Sequence, residues 1–446
     1  MRYRVWWLVI LATAVHGQNW EISPIRSEPG NWVPVAIATD SLCLPQLAFG
    51  ISGDGVIGYA TTKGDTWEFT YLDSGGAISS IEICLDSEEQ PHLSYVVSRY
   101  PEPNELRYAS KDGDTWCIEA VARNATLYSL ALARDGTPHM VFVDSARVKY
   151  AYRAGDTWNI LTVPAYQADT LRRRGGASLA LDTSDQPGVA VTWTKHGPDD
   201  SLWLSFFEYD GQDWHRFDVD SAQGWAPWDF WPVRVRCDPA TDLFHVVYRA
   251  YRYAVGKGED WQIEGTWGKT AGNVFCDFVL HQGRPHVVCA STWDPLTYQW
   301  RWAGGWETET VRNGDVQENM SIAVDRTGIP HVVFQSFDNG TLYYARRLFV
   351  GAEEPPATAQ PETRVLVYPN PAARAFTLEF PVLSRTTATI TLSDALGRTV
   401  WSQEENIDAG CYRRSISLPA SVKSGVYFCI MDIGARRISR KVVLTD

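Results

Sequence analysis

Basic residues are in short supply: Lys and Arg number 40 against 53 Asp and Glu, a formal net charge of −13. A nucleic-acid backbone needs a basic surface to displace its counterions, so no nucleic acid is expected as partner. The plainer consequence of the acidity is solubility. Long apolar runs are missing too. After residue 17 no segment approaches the roughly 20 apolar residues of a membrane helix, so no membrane span is expected. The 8 Cys contain no C-x-x-C pair, which removes zinc ribbons and thioredoxin-type redox sites. No Ser-His-Asp signature, Gly-rich phosphate loop or H-E-x-x-H helix occurs, and neither a cofactor nor a metal site is read. Methionine is rare at 4, whereas Trp and Tyr reach 20 each. Such rings suit pleated, half-buried surfaces, so an all-β chain is favoured.

Residues 1–17 read as a secretory signal. Arg2 and Arg4 give a positive start, and Val5 to Val15 is an apolar stretch too short to span a bilayer. Ala12-Thr13-Ala14 or Val15-His16-Gly17 offers the cleavage point. Export permits disulfides without requiring them. Cys276 and Cys289 flank the turn at His281 to Arg284 symmetrically, which sets them opposite each other across a hairpin. Two readings stay open: a cross-strand bridge, or two small buried residues.

An internal repeat decides the fold. Gly-Asp-Thr-Trp recurs at 64–67, 113–116 and 155–158, and looser copies end at Trp214, Trp261 and Trp306. Eight residues before most of these tryptophans stands an aromatic: Tyr59, Tyr108, Tyr150, Phe206 and Tyr253. The sixth copy reads as shortened, with Trp302-Ala303 only four residues ahead of Trp306. Upstream, Pro-His opens an apolar strand at Pro91-His92, Pro138-His139, Pro285-His286 and Pro330-His331. Pro45-Gln46, Pro187-Gly188 and Phe244-His245 are weaker copies. Each unit is four short strands, every 41 to 57 residues, the period of a propeller blade.

The seventh copy, from Met320, lacks its Trp strand, and Asn19-Trp20-Glu21-Ile22 is an orphan strand of that kind. The first mature strand is therefore expected to complete the last blade, closing the ring and removing edges that invite aggregation. The expectation is a seven-bladed β-propeller over residues 18–350, with the repeated tryptophans packed between blades. The repeated histidines stand one per blade, too dispersed to share a metal. Ser110-Lys111-Asp112-Gly113-Asp114-Thr115-Trp116 resembles, one residue short, the Asp-box of sialidase-type propellers. That element is a turn, so the resemblance implies fold and not sialidase chemistry.

Residues 351–364 are rich in Pro, Ala and Glu without an apolar period, a linker. From 365 to 446 short alternating strands follow, with turns at Gly397-Arg398 and Ser424-Gly425, and a small Ig-like β-sandwich is expected. Five motifs stand in order: Val367-Tyr368-Pro369-Asn370-Pro371, Ile390 to Val400 with Asp394, Gly397 and Arg398, Gly410-Cys411-Tyr412, Gly425-Val426-Tyr427-Phe428, and Lys441-Val442-Val443-Leu444. On these motifs the segment resembles the type IX secretion sorting domain over its full length. The resemblance implies export by the signal, then passage through an outer-membrane translocon that reads this domain. The cargo would be secreted or attached to the outer cell surface of a Bacteroidetes-like bacterium. Cys411 and Cys429 fall where the family more often has other residues and are candidates for a local disulfide.

Second-to-third and between-blade connections open on one face of a propeller. Here the Trp-to-Pro intervals are longest after Trp158 and Trp214, at 29 and 30 residues. Loop variation on a rigid scaffold is where binding usually resides. These loops carry Tyr166, Arg172, Arg173 and Arg174, then Trp225, Trp228, Asp229 and Trp231, and the longest second-to-third loops add Trp293, Arg99 and Tyr100. Rings beside carboxylates and arginines suit sugar faces and protein hot spots. The alternative is that the Trp cluster fills a gap beside an oversized blade. A propeller glycoside hydrolase or lyase needs two carboxyls about 5 to 9.5 Å apart, for which Asp199, Asp200, Asp229 and Glu318 are candidates. The expectation is a binding module for glycan or protein rather than an enzyme. The hydrolase is the first alternative, and a structural envelope or matrix protein the second.

Overall fold

The computed structural model describes residues 19–27, 33–51, 55–63, 66–113, 115–144, 147–165, 176–195, 201–223, 233–248, 252–264, 274–291, 295–302, 305–314, 316–337, 339–348, 366–368, 372, 375–382, 385–394, 398–407, 410–419, 422–433 and 436–445. Residues 1–17, read as a signal, and 351–364, read as a linker, lie outside them. Every regular element described is a strand. The strands fall into two units, one of Met1–Ala38, Pro45–Val324 and Gly328–Arg347, the other of Thr39–Leu44, Asp325–Thr327 and Leu348–Asp446.

The first unit contains seven four-stranded sheets. Sheets I to VI take their strands in chain order. They run from Val35–Thr39 to Thr66–Ser74, Ala77–Leu85 to Thr115–Arg123, Ala125–Leu132 to Thr157–Thr162, Ala177–Leu181 to Trp214–Gln223, Val233–Asp238 to Asp260–Glu264, and Val274–His281 to Gly305–Arg312. Sheet VII takes Val316–Val324, Pro330–Ser336 and Thr341–Arg347, and its fourth strand is Trp20–Ser27 from the N-terminus. In that ladder Trp20 pairs with Arg347 and Ser27 with Thr341. Burial falls from the second strand to the fourth, as sheets I and II show. The second strand Pro45–Ile51 is buried throughout, whereas the fourth, Thr66–Ser74, alternates exposed and half-buried residues. Strands covered on both faces read as apolar runs, and strands covered on one face as alternations.

All seven seams between sheets carry one contact. The fourth-strand Trp of each sheet meets the third-strand ring of the sheet before it. The pairs are Trp67–Tyr344, Trp116–Tyr59, Trp158–Tyr108, Trp214–Tyr150, Trp261–Phe206, Trp306–Tyr253 and Trp20–Tyr298, with centroids 4.9–5.6 Å apart. Such pairs contribute about 0.5–1.5 kcal/mol each beyond the area they bury. The series corrects the reading of the sixth copy. Tyr298, not Trp302, is the equivalent ring; it stands eight residues before Trp306, so that copy has full length. Gln299 in place of the usual Ala hides it in the sequence.

The repeated histidine belongs to the same layer. Its Nδ1 shares a hydrogen bond with the third-strand Tyr hydroxyl of its own sheet: His92–Tyr108, His139–Tyr150, His245–Tyr253, His286–Tyr298 and His331–Tyr344. In sheet I the Tyr59 hydroxyl donates instead to Gln46 at 2.7 Å. In sheet IV both polar partners are gone together. Gly188 faces Phe206, and a Cβ on Gly188 would stand 2.6 Å from that ring. An orphaned buried hydroxyl costs about 1–3 kcal/mol, so the pair is kept whole or removed whole. Burial lowers the pKa of His139 and His245 to about 4 and of His286 to about 3. Cys276 and Cys289 oppose each other in register and are joined by a disulfide, their Cα atoms 4.4 Å apart.

In the second unit a three-stranded sheet (Leu366–Tyr368, Ala375–Val382, Gly410–Ser417) and a four-stranded sheet (Thr399–Ile407, Thr386–Asp394, Gly425–Ile433, Arg436–Leu444) share one core. Phe376, Leu378, Ile390, Leu392, Met431 and Val442 fill it. Asp394 closes a turn by accepting from Arg398 N at 3.0 Å and Arg398 Nε at 2.7 Å. The Tyr427 hydroxyl donates to Lys423 O at 2.8 Å. Ala372 ties down the last strand, donating to Val443 O and accepting from Thr445 N. Pro369, Asn370, Pro371 and Gly397 lie outside the described residues, and the Tyr368 and Lys441 side chains are not among those described. The local disulfide expected of Cys429 is not formed: Cys429 is a free, buried thiol, and Cys411 belongs to the other sheet. No described helix is long and apolar enough to cross a membrane.

Candidate functional site

Most residues nominated from the sequence fall outside the described ones. These are Tyr166, Arg172, Arg173, Arg174, Asp199, Asp200, Trp225, Trp228, Asp229, Trp231 and Trp293; the Glu318 side chain is also not described. The strands that carry their loops are described. In sheet IV Lys195 pairs with Ser201 and Ser201 with Gln223, so segments 196–200 and 224–232 both leave one end of that sheet. Just beneath, Trp193 and Trp203 stack at 5.6 Å with 13° between their planes. Trp193 is fixed in place: its Nε1 donates to Ser205 Oγ at 2.9 Å, and Ser205 Oγ donates to Asp218 at 2.7 Å. Arg216 bonds the same carboxylate and lies over the Trp193 ring at 5.5 Å.

At this same end of the sheets, six residues beyond the repeated Trp, the seams diverge. At seam I/II, Asp73 accepts from Tyr95 at 2.9 Å and Arg107 at 2.5 Å, both on sheet II. Burial alone would raise the Asp73 pKa, but the hydrogen bonds from Tyr95 and Arg107 bring it below the usual carboxylate range. Seam IV/V repeats the arrangement position for position, with Asp220 accepting from Tyr248 at 2.8 Å and from Arg252. At seam VI/VII, Arg312 lies 4.3 Å over the Tyr343 ring. In each case a side chain of the next sheet covers the charge.

Seam VII/I breaks the pattern. The charge there is Arg26, and the position that elsewhere supplies Arg107, Arg252 or Tyr343 is Gly58. Phe49 occupies the space, and a Cβ on Gly58 would run into its ring. Arg26 instead bonds the Tyr71 hydroxyl and lies 5.7 Å from that ring's centre. Tyr71 keeps 54% of its surface exposed. The result is an open groove of about 360 Å3, lined by Arg26, Ile51, Val56, Tyr71, Leu72, Asp73 and Ser74. Arg99 grips its rim through Ser74 O and Gly75 O, beside the fully exposed Tyr100. The groove thus offers an aromatic face, a guanidinium, an ionised carboxylate and a hydroxyl. Among the described residues no group of His, Cys, Asp or Glu is placed to hold a metal. The sequence reading missed Arg26, Tyr71 and Asp73. Aligning the repeats at the position before each Tyr was the available signal, because only there does Gly58 stand out.

Residues 366–445 match the secretion system C-terminal sorting domain family. The protein is therefore cargo of the type IX system, secreted or held at the cell surface. No curated protein matches the sequence. Among solved structures, AofleA from Arthrobotrys oligospora is similar at 11% identity and a TM-score of 0.42, over 90% of this chain and 94% of that one. The Aleuria aurantia lectin in complex with Fucalpha1-6GlcNAc gives 11% and 0.41, over 73% and 95%. The Hadza microbial sialidase Hz136 gives 11% and 0.42, over 70% and 74%.

Proposed function

We propose that residues 18–350 form a seven-bladed β-propeller that binds glycan through its loop-bearing face, and that residues 365–446 are an Ig-like β-sandwich that delivers it outside the cell. The circuit of seven Trp contacts supports the propeller. The groove at seam VII/I carries the binding reading, because there the ring that meets the charge across the seam, Tyr71, is itself exposed beside hydrogen-bonding charge. A pyranose presents an apolar face and a rim of hydroxyls, which an aromatic ring, a guanidinium and a carboxylate complement. Catalysis is less well supported. Glycoside hydrolysis needs a proton donor beside a second carboxyl, and Asp73, the carboxylate lining the groove, is held ionised by Tyr95 and Arg107. Tyr166, Arg172, Arg173, Arg174, Trp225, Trp228, Asp229, Trp231 and Trp293 extend the same face in this proposal.

A glycan array and polysaccharide pull-down with the exported chain, alongside Trp228→Ala and Trp231→Ala, test the reading. The expected result is retention of a defined glycan, weakened in the Trp variants at unchanged melting temperature. Retention of no glycan, with a protein captured instead, overturns it in favour of a protein ligand.

A further inference from the structure

A polar cluster lies among the first strands of the sheets of the first unit. The first strands of successive sheets touch one another. Cys84 Sγ bonds Leu130 O, Ser129 Oγ bonds Leu179 O, Val235 N bonds Ser178 Oγ, Ile322 N bonds Asp277 and Ile37 N bonds Ser321 Oγ. Register sets Glu82, Ser129, Ser178, Arg234, Asp277 and Ser321 in one layer, each opposite the residue two beyond the repeated His or Gly. The layer below holds Arg236 and Cys84 among Ala and Val. These side chains share one lumen: Glu82 of sheet II feels the charges of Arg234, Arg236 and Asp277 on sheets V and VI.

The hydrogen-bond account of this cluster does not balance. Asp277 is satisfied: it accepts from Ser321 Oγ at 2.9 Å, Ile322 N at 3.1 Å and Phe278 N at 2.9 Å. Each guanidinium has five N–H donors. Arg234 gives one to Val233 O at 3.3 Å and sits 3.5 Å from Asp277. Arg236 gives one to Val235 O at 2.9 Å, sits 3.8 Å from Asp277 and stacks 5.5 Å over Phe278. Glu82 makes no hydrogen bond or ion pair with any described residue. Two arginines with donors to spare and a carboxyl without a bond to any described residue therefore share two layers with Asp277, Cys84, Ser, Ala and Val.

We propose that Arg234 and Arg236 bind a small oxyanion in the lumen. A guanidinium fork matches carboxylate, phosphate and sulfate in two-point geometry. Burial pushes the Glu82 carboxyl up, with Arg234 pulling the other way.

Equilibrium dialysis of the full chain against radiolabelled sulfate, with chloride holding ionic strength constant, tests this. Saturable binding of about one ion per chain is expected, weakened about tenfold or more by Arg234→Gln or Arg236→Gln and retained in Glu82→Gln. Non-saturable uptake, or equal binding by the Arg variants, overturns the proposal. If Arg236→Gln does not fold, Arg236→Lys keeps the charge and removes the fork, and undiminished binding by it is equally contrary. Displacement by glucuronate as well as phosphate marks a sugar carboxylate as a ligand; displacement by phosphate alone marks a free inorganic ion.

Discussion

Two levels of the same outer strands behave in opposite ways. At the repeated tryptophan all seven seams carry one contact, a Trp against a ring of the sheet before it. Six residues further along, the same strands carry Arg26, Asp73, Ala122, Asp220 and Arg312, and the sequence reads Pro164 and Trp267 at the other two positions. The first level is repeated because each sheet must bury the same surface on its neighbour. The second is free to vary because the fold is already closed beneath it. Within that variable level, charges at three seams are covered from the second or third strand of the next sheet, and at seam VII/I the partner is instead Tyr71 on the exposed fourth strand. Difference on a constant frame is what points to a binding surface.

The largest expected effect strikes the constant level. His139, His245 and His286 are held neutral by burial, with pKa values of about 4, 4 and 3 against an ordinary 6.5. Between those values the unfolded chain binds protons that the folded chain refuses. Stability is therefore full above pH 6.5 and lost as pH falls towards 4, on the order of 3 kcal/mol per histidine at the limit. Melting temperatures from pH 7.5 to 4.5 check it, and a flat profile would mean these histidines titrate normally in the fold. Next comes Trp20→Ala. Trp20 is fully buried, donates to Glu309 at 2.9 Å and joins sheet VII to sheet VI. The substitution is expected to cost about 3–5 kcal/mol in a urea titration. A cost below about 1 kcal/mol would show that the N-terminal strand does not carry closure.

The repeated level was legible because it is written seven times. Even the closing strand could be found, since Trp20 lacks an upstream Tyr while Tyr344 lacks a downstream Trp. One substitution beside the key ring, Gln299 for Ala, was enough to misplace the sixth copy. The His–Tyr bond was half legible. Its partners are separated by a variable loop, and only the joint loss of both at Gly188 and Phe206 announces the pairing. The groove was not legible at all. With Gly58 filled over by Phe49, the partner of Arg26 comes from Tyr71 on another strand, and that exchange is visible only when the two sheets stand side by side. The lumen cluster was hidden for a related reason: Glu82, Arg234 and Asp277 lie far apart in the chain and meet only once the sheets stand side by side. The long aromatic loops, conspicuous in sequence, lie outside the described residues, so the two readings of the binding face rest on different parts of it.

The smallest effect on stability is expected at the open seam, and it is the most informative. Tyr71→Ala removes a half-exposed ring with its contacts to Arg26 and Phe49, so unfolding should change by about 1 kcal/mol or less. The decisive measurement is the affinity of this variant for the glycan that the wild-type protein retains, with Ile118→Ala as the control. Ile118 is also exposed on a fourth strand, but on sheet II, away from the groove. The groove account predicts binding weakened about tenfold or more in Tyr71→Ala, unchanged in Ile118→Ala, with both melting close to the wild type. Wild-type affinity in Tyr71→Ala would contradict it.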